Sequence, residues 1–500
     1  MCRKDKMPHR RPVFSCTRAV LCLIFPLLIA CAPITRISQN SITNNLQLED
    51  CQLSAPTVAV RLEARCGNLL VAENPSKPQG KKIALNIAVI PAVSRSPAPD
   101  PIFFIPGGPG EAATESYLGL SGAFELLNQK RDIVLVDQRG TGGSNPLDCK
   151  FSEDERDNSE QIDLDLFQCL EELDADPRLY TTAIAMDDLD QVRQALGYDL
   201  INLYGASYGT RAAQAYLRQH PEHVRTVILD GVVPLGWVLG ASAAADAQYA
   251  LDGLFSRCDA DPECKRAFPD LVNEFTALLS HLEQAPSDLV LEDPINGERI
   301  SFTMTRERFA NTIHLLSYTP ETASLIPLLV HVTFLEGNFN RLASIAMSYE
   351  GMLGDSLSSG MRFSIICAED APYFDRSANG SGYLDDYIMT SFEKICAVWP
   401  RGEIPSDFRQ PVRSDVPVLL ISGEYDPVTL PSNGDMAMRN LPNSLHLIAP
   451  GMGHINFYRG CIPKIATDFI ESGALQNLDS TCVNFIRPSP FFINFNGPVP

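Results

Sequence analysis

Three residues far apart in the chain have the types that acyl transfer needs: Ser207, Asp426 and His454. A serine hydroxyl is a weak nucleophile until a base takes its proton. The base in turn works best when a carboxylate fixes its tautomer. Ser207 is the centre of Gly205-Ala206-Ser207-Tyr208-Gly209, after the apolar run Leu200-Ile201-Asn202-Leu203-Tyr204 and before a helix-like run from Thr210 to Gln219. That order predicts a strand, a sharp turn and a helix, with the hydroxyl held out at the carboxyl end of the strand. The flanking glycines let strand and helix pass closely, while Ser207 is forced into strained backbone geometry. The helix N-terminus behind it favours developing negative charge.

The partner residues follow strands of their own. Val418-Leu419-Leu420-Ile421-Ser422 reads as a buried strand entering Gly423-Glu424-Tyr425-Asp426-Pro427. Leu445-His446-Leu447-Ile448 reads as another, entering Gly451-Met452-Gly453-His454. Both candidates therefore sit just past carboxyl strand ends, where open parallel sheets place their sites. Asp426 follows Ser207 by 219 residues, which leaves room for an inserted domain, and His454 follows Asp426 by 28. Of the eight histidines, His454 alone lies in a glycine-rich loop after a strand. Glu424 is a second candidate for the orienting carboxylate, although Asp-Pro-Val-Thr after the strand favours Asp426.

A tetrahedral oxyanion also needs N–H donors. The strand Ile102-Phe103-Phe104-Ile105 runs into Pro106-Gly107-Gly108-Pro109-Gly110. Pro109 has no N–H, so Gly107 or Gly108 is the expected donor beside the amide of Tyr208. Ile133-Val134-Leu135-Val136 precedes Asp137-Gln138-Arg139-Gly140-Thr141-Gly142-Gly143-Ser144, where Asp137 and Arg139 are expected to hold loops rather than touch substrate.

In this order, Gly-Gly-Pro-Gly, Asp-Gln-Arg-Gly-x-Gly-x-Ser, Gly-x-Ser-Tyr-Gly-Thr, Asp-Pro-Val-Thr and Gly-x-Gly-His resemble the prolyl/tripeptidyl aminopeptidase family of α/β-hydrolases. More narrowly, the chain resembles the secreted branch with a TAP-like C-terminal region. The resemblance covers roughly residues 80–235 and 360–485. It implies a mostly parallel sheet with helices on both faces and an inserted, mainly helical cap domain. It also implies Ser207, Asp426 and His454 as triad, and hydrolysis of peptides from a free amino terminus without metal or organic cofactor. Two departures stand out: Pro106 where many relatives carry His, and Glu111 where many carry a small residue. Relatives hold the substrate amine with carboxylates in or beside the cap, and Cys367-Ala368-Glu369-Asp370 is the corresponding stretch, so Glu369, Asp370 and Glu111 are the amine-binding candidates. A solvated acidic turn is the bland reading of Glu369 and Asp370, and a core position that of Trp399. A carboxylesterase or lipase would use the same triad. A non-enzymatic surface lipoprotein that kept the fold is the third reading.

Residues 1–30 read as a signal peptide of lipoprotein type, with six basic residues and an apolar run from Ala19 to Ala30 too short to span a bilayer. Leu28-Ile29-Ala30-Cys31 resembles a bacterial lipoprotein cleavage site, which would make Cys31 the lipidated first residue and membrane anchor of an exported envelope protein. Residues 31–50 would be its tether. Ten later cysteines fall as neighbours, Cys51 with Cys66, Cys149 with Cys169, Cys258 with Cys264, Cys367 with Cys396 and Cys461 with Cys482. Their connectivity stays open, but oxidised pairs suit the periplasm or cell surface better than a metal site does. The net charge of −21 excludes a nucleic-acid partner. A core of 51–235 and 406–485, a cap of 236–405, an irregular tail of 486–500 and a monomeric state complete the expectation.

Overall fold

The structure is a computed structural model that describes residues 46–55, 58–151, 159–292, 297–375 and 381–498. The leader and Cys31 lie outside the described residues. A nine-stranded sheet runs through the molecule in the order β1-β2-β3-β5-β4-β6-β7-β10-β11. Its strands are β1 (Glu49–Ala55), β2 (Val58–Ala72), β3 (Lys82–Ile90), β4 (Ile102–Ile105), β5 (Ile133–Val136), β6 (Ile201–Ala206), β7 (Val224–Asp230), β10 (Val418–Gly423) and β11 (Ser444–Ala449). The first three are antiparallel, and β5 through β11 pair in parallel. The fold is thus a mostly parallel α/β sheet, as the sequence predicts.

The central strands are short and apolar because both faces are buried. On β4, Phe103 and Ile105 join the core on one face with Met186, Leu189 and Val192 of helix α1 (Thr182–Leu196) and Ala212, Ala213 and Tyr216 of α2 (Tyr208–Gln219). Ile102 and Phe104 point the other way, to Tyr117, Phe124 and the C-terminal region. Helix α1 stops at Gly197, whose φ of 81° is the left-handed cap that glycine adopts without strain. From β4 the chain steps to β5 on one side and then to β6 on the other. The carboxyl ends of β4 and β6 thereby form the switch point at which such sheets bind ligands.

Between β7 and β10 the chain is mainly helical. Its helices include α3 (Ala243–Ala260), α4 (Leu271–Gln284), α5 (Arg306–Leu316), α6 (Ile326–Glu336), α7 (Asn340–Ser356), α8 (Ser359–Glu369) and α9 (Tyr387–Val398). It also holds a two-stranded antiparallel sheet, β8 (Ser287–Glu292) with β9 (Arg299–Met304). This segment has an apolar core of its own, with Leu251, Phe275, Phe309 and Leu342. The C-terminal tail docks on that core through buried Phe491, with the Arg257 guanidinium 4.3 Å from its ring centroid. Five disulfides join the cysteine neighbours named above, and they point to an exported protein. No helix of the described residues is long and apolar enough to cross a membrane.

Candidate active site

Ser207 lies between β6 and α2 with φ 53° and ψ −122°, in the strained region that the turn demands. The reason for its glycines is visible. A Cβ on Gly205 would strike the Gly209 carbonyl, and one on Gly209 would strike that of Ile105. The Ser207 amide donates to the Asp230 carbonyl at 2.8 Å, and the Ser207 carbonyl accepts from the amide and hydroxyl of Thr210 at 2.9 and 2.7 Å. The strained residue is thus fixed on both sides.

His454 Nδ1 stands 2.8 Å from Asp426 Oδ2. The carboxylate only accepts, so Nδ1 carries the proton and Nε2 is left for other work. Asp426 is fully buried and its remaining capacity is filled locally. Oδ1 accepts from the amides of Val428 and Thr429 at 2.9 and 2.8 Å, and Oδ2 also accepts from the Thr429 hydroxyl at 2.8 Å. Burial pushes the Asp426 carboxyl up, but the His454 charge and these donors outweigh it and leave the pKa below the usual range. For His454, burial pulls down, while the charge and hydrogen bond of Asp426, with Asp230 and Glu111, hold the imidazole above 6.5. Glu424 plays no such part: its Oε2 accepts from the Gly451 amide at 2.8 Å.

One cavity of about 680 Å³ is lined by Ser207, Tyr208, His454, Gly107, Gly108 and Glu111. Gly108 has φ 98°. A Cβ on Gly107 would stand 3.1 Å from the Ser207 Cβ and 3.4 Å from Glu111 Oε1, which measures how closely loop, nucleophile and carboxylate converge. Glu111 accepts from the Ser116 hydroxyl at 2.9 Å. Burial raises its pKa against that bond, the Gly107 amide and the His454 charge. No lysine or arginine of the described residues pairs with it.

The other two amine-binding candidates depart from expectation. Glu369 is fully buried and absent from the cavity wall, because its oxygens accept from the Thr182 amide and hydroxyl at 2.8 and 3.0 Å. Burial raises its pKa to about 7. Asp370 reaches the wall, but both oxygens are held by Arg211 at 2.9 and 3.0 Å. Asp370 and Arg211 form an internal ion pair, and neither acid lies in a solvated turn. Trp399 lies in a core, its indole N–H donating to Ser364 at 3.1 Å. Asp137 and Arg139 do hold loops. Asp137 accepts from Thr114, Asn86 and Gly143, and Arg139 pairs with Asp188 at 2.7 Å.

Two positioning groups escaped the sequence. Asp230, at the end of β7, accepts from the amides of Asn456 and Phe457 and pins the loop after His454. The run Ile228-Leu229-Asp230-Gly231, an acid and a glycine closing an apolar strand, was the available signal. Tyr318, between α5 and α6, accepts from the His454 amide at 2.6 Å. A Cβ on Gly453 would meet that same carbonyl, so this glycine is required by the segment packed over it. Among the described residues no group of three or more His, Cys, Asp or Glu is arranged to hold a metal ion.

Fold and site define a serine hydrolase. Residues 100–283 match a family described as alpha/beta hydrolase fold, and residues 381–482 one described as TAP-like protein. Serine protease Hip1 of Mycobacterium tuberculosis is 24% identical over 96% of this chain and 99% of its own. Tripeptidyl aminopeptidase of Streptomyces lividans is 29% identical over 34% of this chain and 35% of its own. Proline iminopeptidase of Neisseria gonorrhoeae is 29% identical over 28% and 34%. These matches support an α/β-hydrolase peptidase with a TAP-like C-terminal region.

Proposed function

We propose that this peptidase is an exported serine exopeptidase that removes residues from the free N-terminus of peptides. The observation that carries the reading is the buried Asp426–His454 hydrogen bond, at 2.8 Å, in the cavity that also exposes strained Ser207. Ser207 Oγ attacks the scissile carbonyl as His454 Nε2 takes its proton, and Asp426 holds the imidazolium. The amides of Tyr208 and Gly108 or Gly107 receive the oxyanion. His454 returns the proton to the leaving amine. Water then attacks the acyl-enzyme with His454 again as base, and the acid is released.

Glu111 supports the preference for a free terminus. It is a carboxylate without a cationic partner beside the nucleophile, where an N-terminal ammonium would complete the charge. Full-length similarity to a serine protease and partial similarity to aminopeptidases favour the same reading. The division into a core and a cap of 236–405, the signal peptide, the lipid anchor at Cys31 and the monomeric state belong to this proposal.

The test is a mixture of unblocked peptides and its N-acetylated twin, with products identified by mass. Cleavage of the unblocked set alone is expected, and Ser207→Ala should lower kcat by about 10⁶. Equal cleavage of both sets would remove the exopeptidase reading. Turnover of p-nitrophenyl esters with no peptide cleaved would make the protein a carboxylesterase.

A further inference from the structure

Two interior arginines show what a buried guanidinium ordinarily requires. Arg139 donates to both oxygens of Asp188 and to the carbonyls of Glu73 and Leu179. Arg211 leaves its Nε unbonded, but its other nitrogens donate to both oxygens of Asp370 and to the Trp237 carbonyl. Arg362, on α8, has neither kind of partner. It lines the active-site cavity beside Tyr318, Ile365 and Phe392. Its Nε is sealed from solvent and makes no hydrogen bond. The nearest described support is the Phe392 ring, whose centroid is 5.2 Å from Cζ. No carboxylate of the described residues pairs with it, and burial presses its pKa down against only the Tyr318 phenol. A half-buried cation in the cavity wall, with a sealed and unbonded Nε and no described carboxylate beside it, is placed to receive an anion from a ligand.

We propose that Arg362 binds a carboxylate of the substrate, either the C-terminal carboxylate of a short peptide or an acidic side chain. The inference rests on the peptidase reading. With Glu111 at the glycine loop, the cavity then carries one group for an ammonium and one for a carboxylate. Its volume of about 680 Å³ suits a short peptide. A neutral acyl ester leaves such an arginine without a role.

Binding to the Ser207→Ala protein tests this without turnover. Calorimetry compares trialanine with trialanine amide, and Ala-Ala-Glu amide with Ala-Ala-Gln amide. The anionic member of at least one pair should bind about tenfold or more tightly. The pair that discriminates identifies the source of the carboxylate. Adding Arg362→Gln should abolish the preference, leave the neutral peptides within about twofold, and melt no lower than Ser207→Ala alone, since no internal partner is orphaned. Arg362→Lys keeps the charge but loses the fork, so it should retain only part of the preference, and it serves if the Gln variant does not fold. Absence of preference in both pairs, or a preference that survives Arg362 substitution undiminished, overturns the proposal. Cleavage is read separately with Ser207 intact. An Arg362-dependent preference without peptide cleavage would sink the peptidase reading and leave the anion site standing.

Discussion

The two walls of the cavity treat their polar groups in opposite ways. On the strand-end wall the parts of the Ser207–His454–Asp426 set that do not react are held by near neighbours. Thr210 fixes the Ser207 carbonyl, Val428 and Thr429 fill Asp426, and Asp230 pins the loop after His454. On the wall from the segment between β7 and β10, Arg362 Nε and His314 Nδ1 are buried without a partner. Burial pulls the His314 pKa to about 4, so that imidazole is neutral. The contrast separates two tasks. Dipoles that act in a transition state are useful when already oriented, whereas groups that read a substrate remain unsatisfied until it arrives.

The largest expected effect breaks the first wall alone. Asp426→Asn keeps the shape but favours the wrong imidazole tautomer, and kcat should fall by about 10⁴ with little change in KM. A loss below tenfold would mean that the hydrogen bond is structural. Next in size is removal of the Cys367–Cys396 disulfide, which ties α8 to α9 across a separation of 29 residues. Replacing both by alanine should cost about 3–4 kcal/mol of unfolding free energy in a urea titration. Fluorophosphonate labelling of Ser207 in the native protein should persist, since the strand-end wall does not depend on that link. Loss of labelling along with stability would show that the two walls are one mechanical unit.

The smallest effect sharpens the border between them. Glu111→Gln should raise KM for unblocked peptides by about 10- to 100-fold while kcat is kept. The pH profile supplies a second readout. Activity needs neutral His454, whose pKa is raised, so kcat/KM should climb through a pKa above 6.5. Glu111 is one of the charges that hold it there, so its neutralisation should move the acid limb to lower pH. A limb that stays put would mean that Glu111 is protonated across this range.

Legibility followed the same border. The strands under Ser207, Asp426 and His454 were readable because apolar runs followed by glycine turns are local signals. Glu369 and Asp370 are visible as acids, but nothing nearby announces that Thr182 and Arg211 hold their oxygens from 187 and 159 residues away. Gly453 was read as part of a loop, and its actual constraint is a carbonyl from Tyr318. Phe491 was assigned to an irregular tail, yet an apolar core more than a hundred residues away in sequence claims it.

By itself, then, the sequence determined the α/β class, the nucleophile turn and the order in which nucleophile, acid and base are met. Each of these follows from the backbone geometry of a strand and the few residues after it. Only the tertiary structure decided which carboxylates are free and which are spent. It also decided that Asp426 rather than Glu424 meets His454, and that Arg362 faces the cavity without an anion. Those outcomes depend on desolvation and on partners brought in from distant elements, and neither has a local trace in the chain.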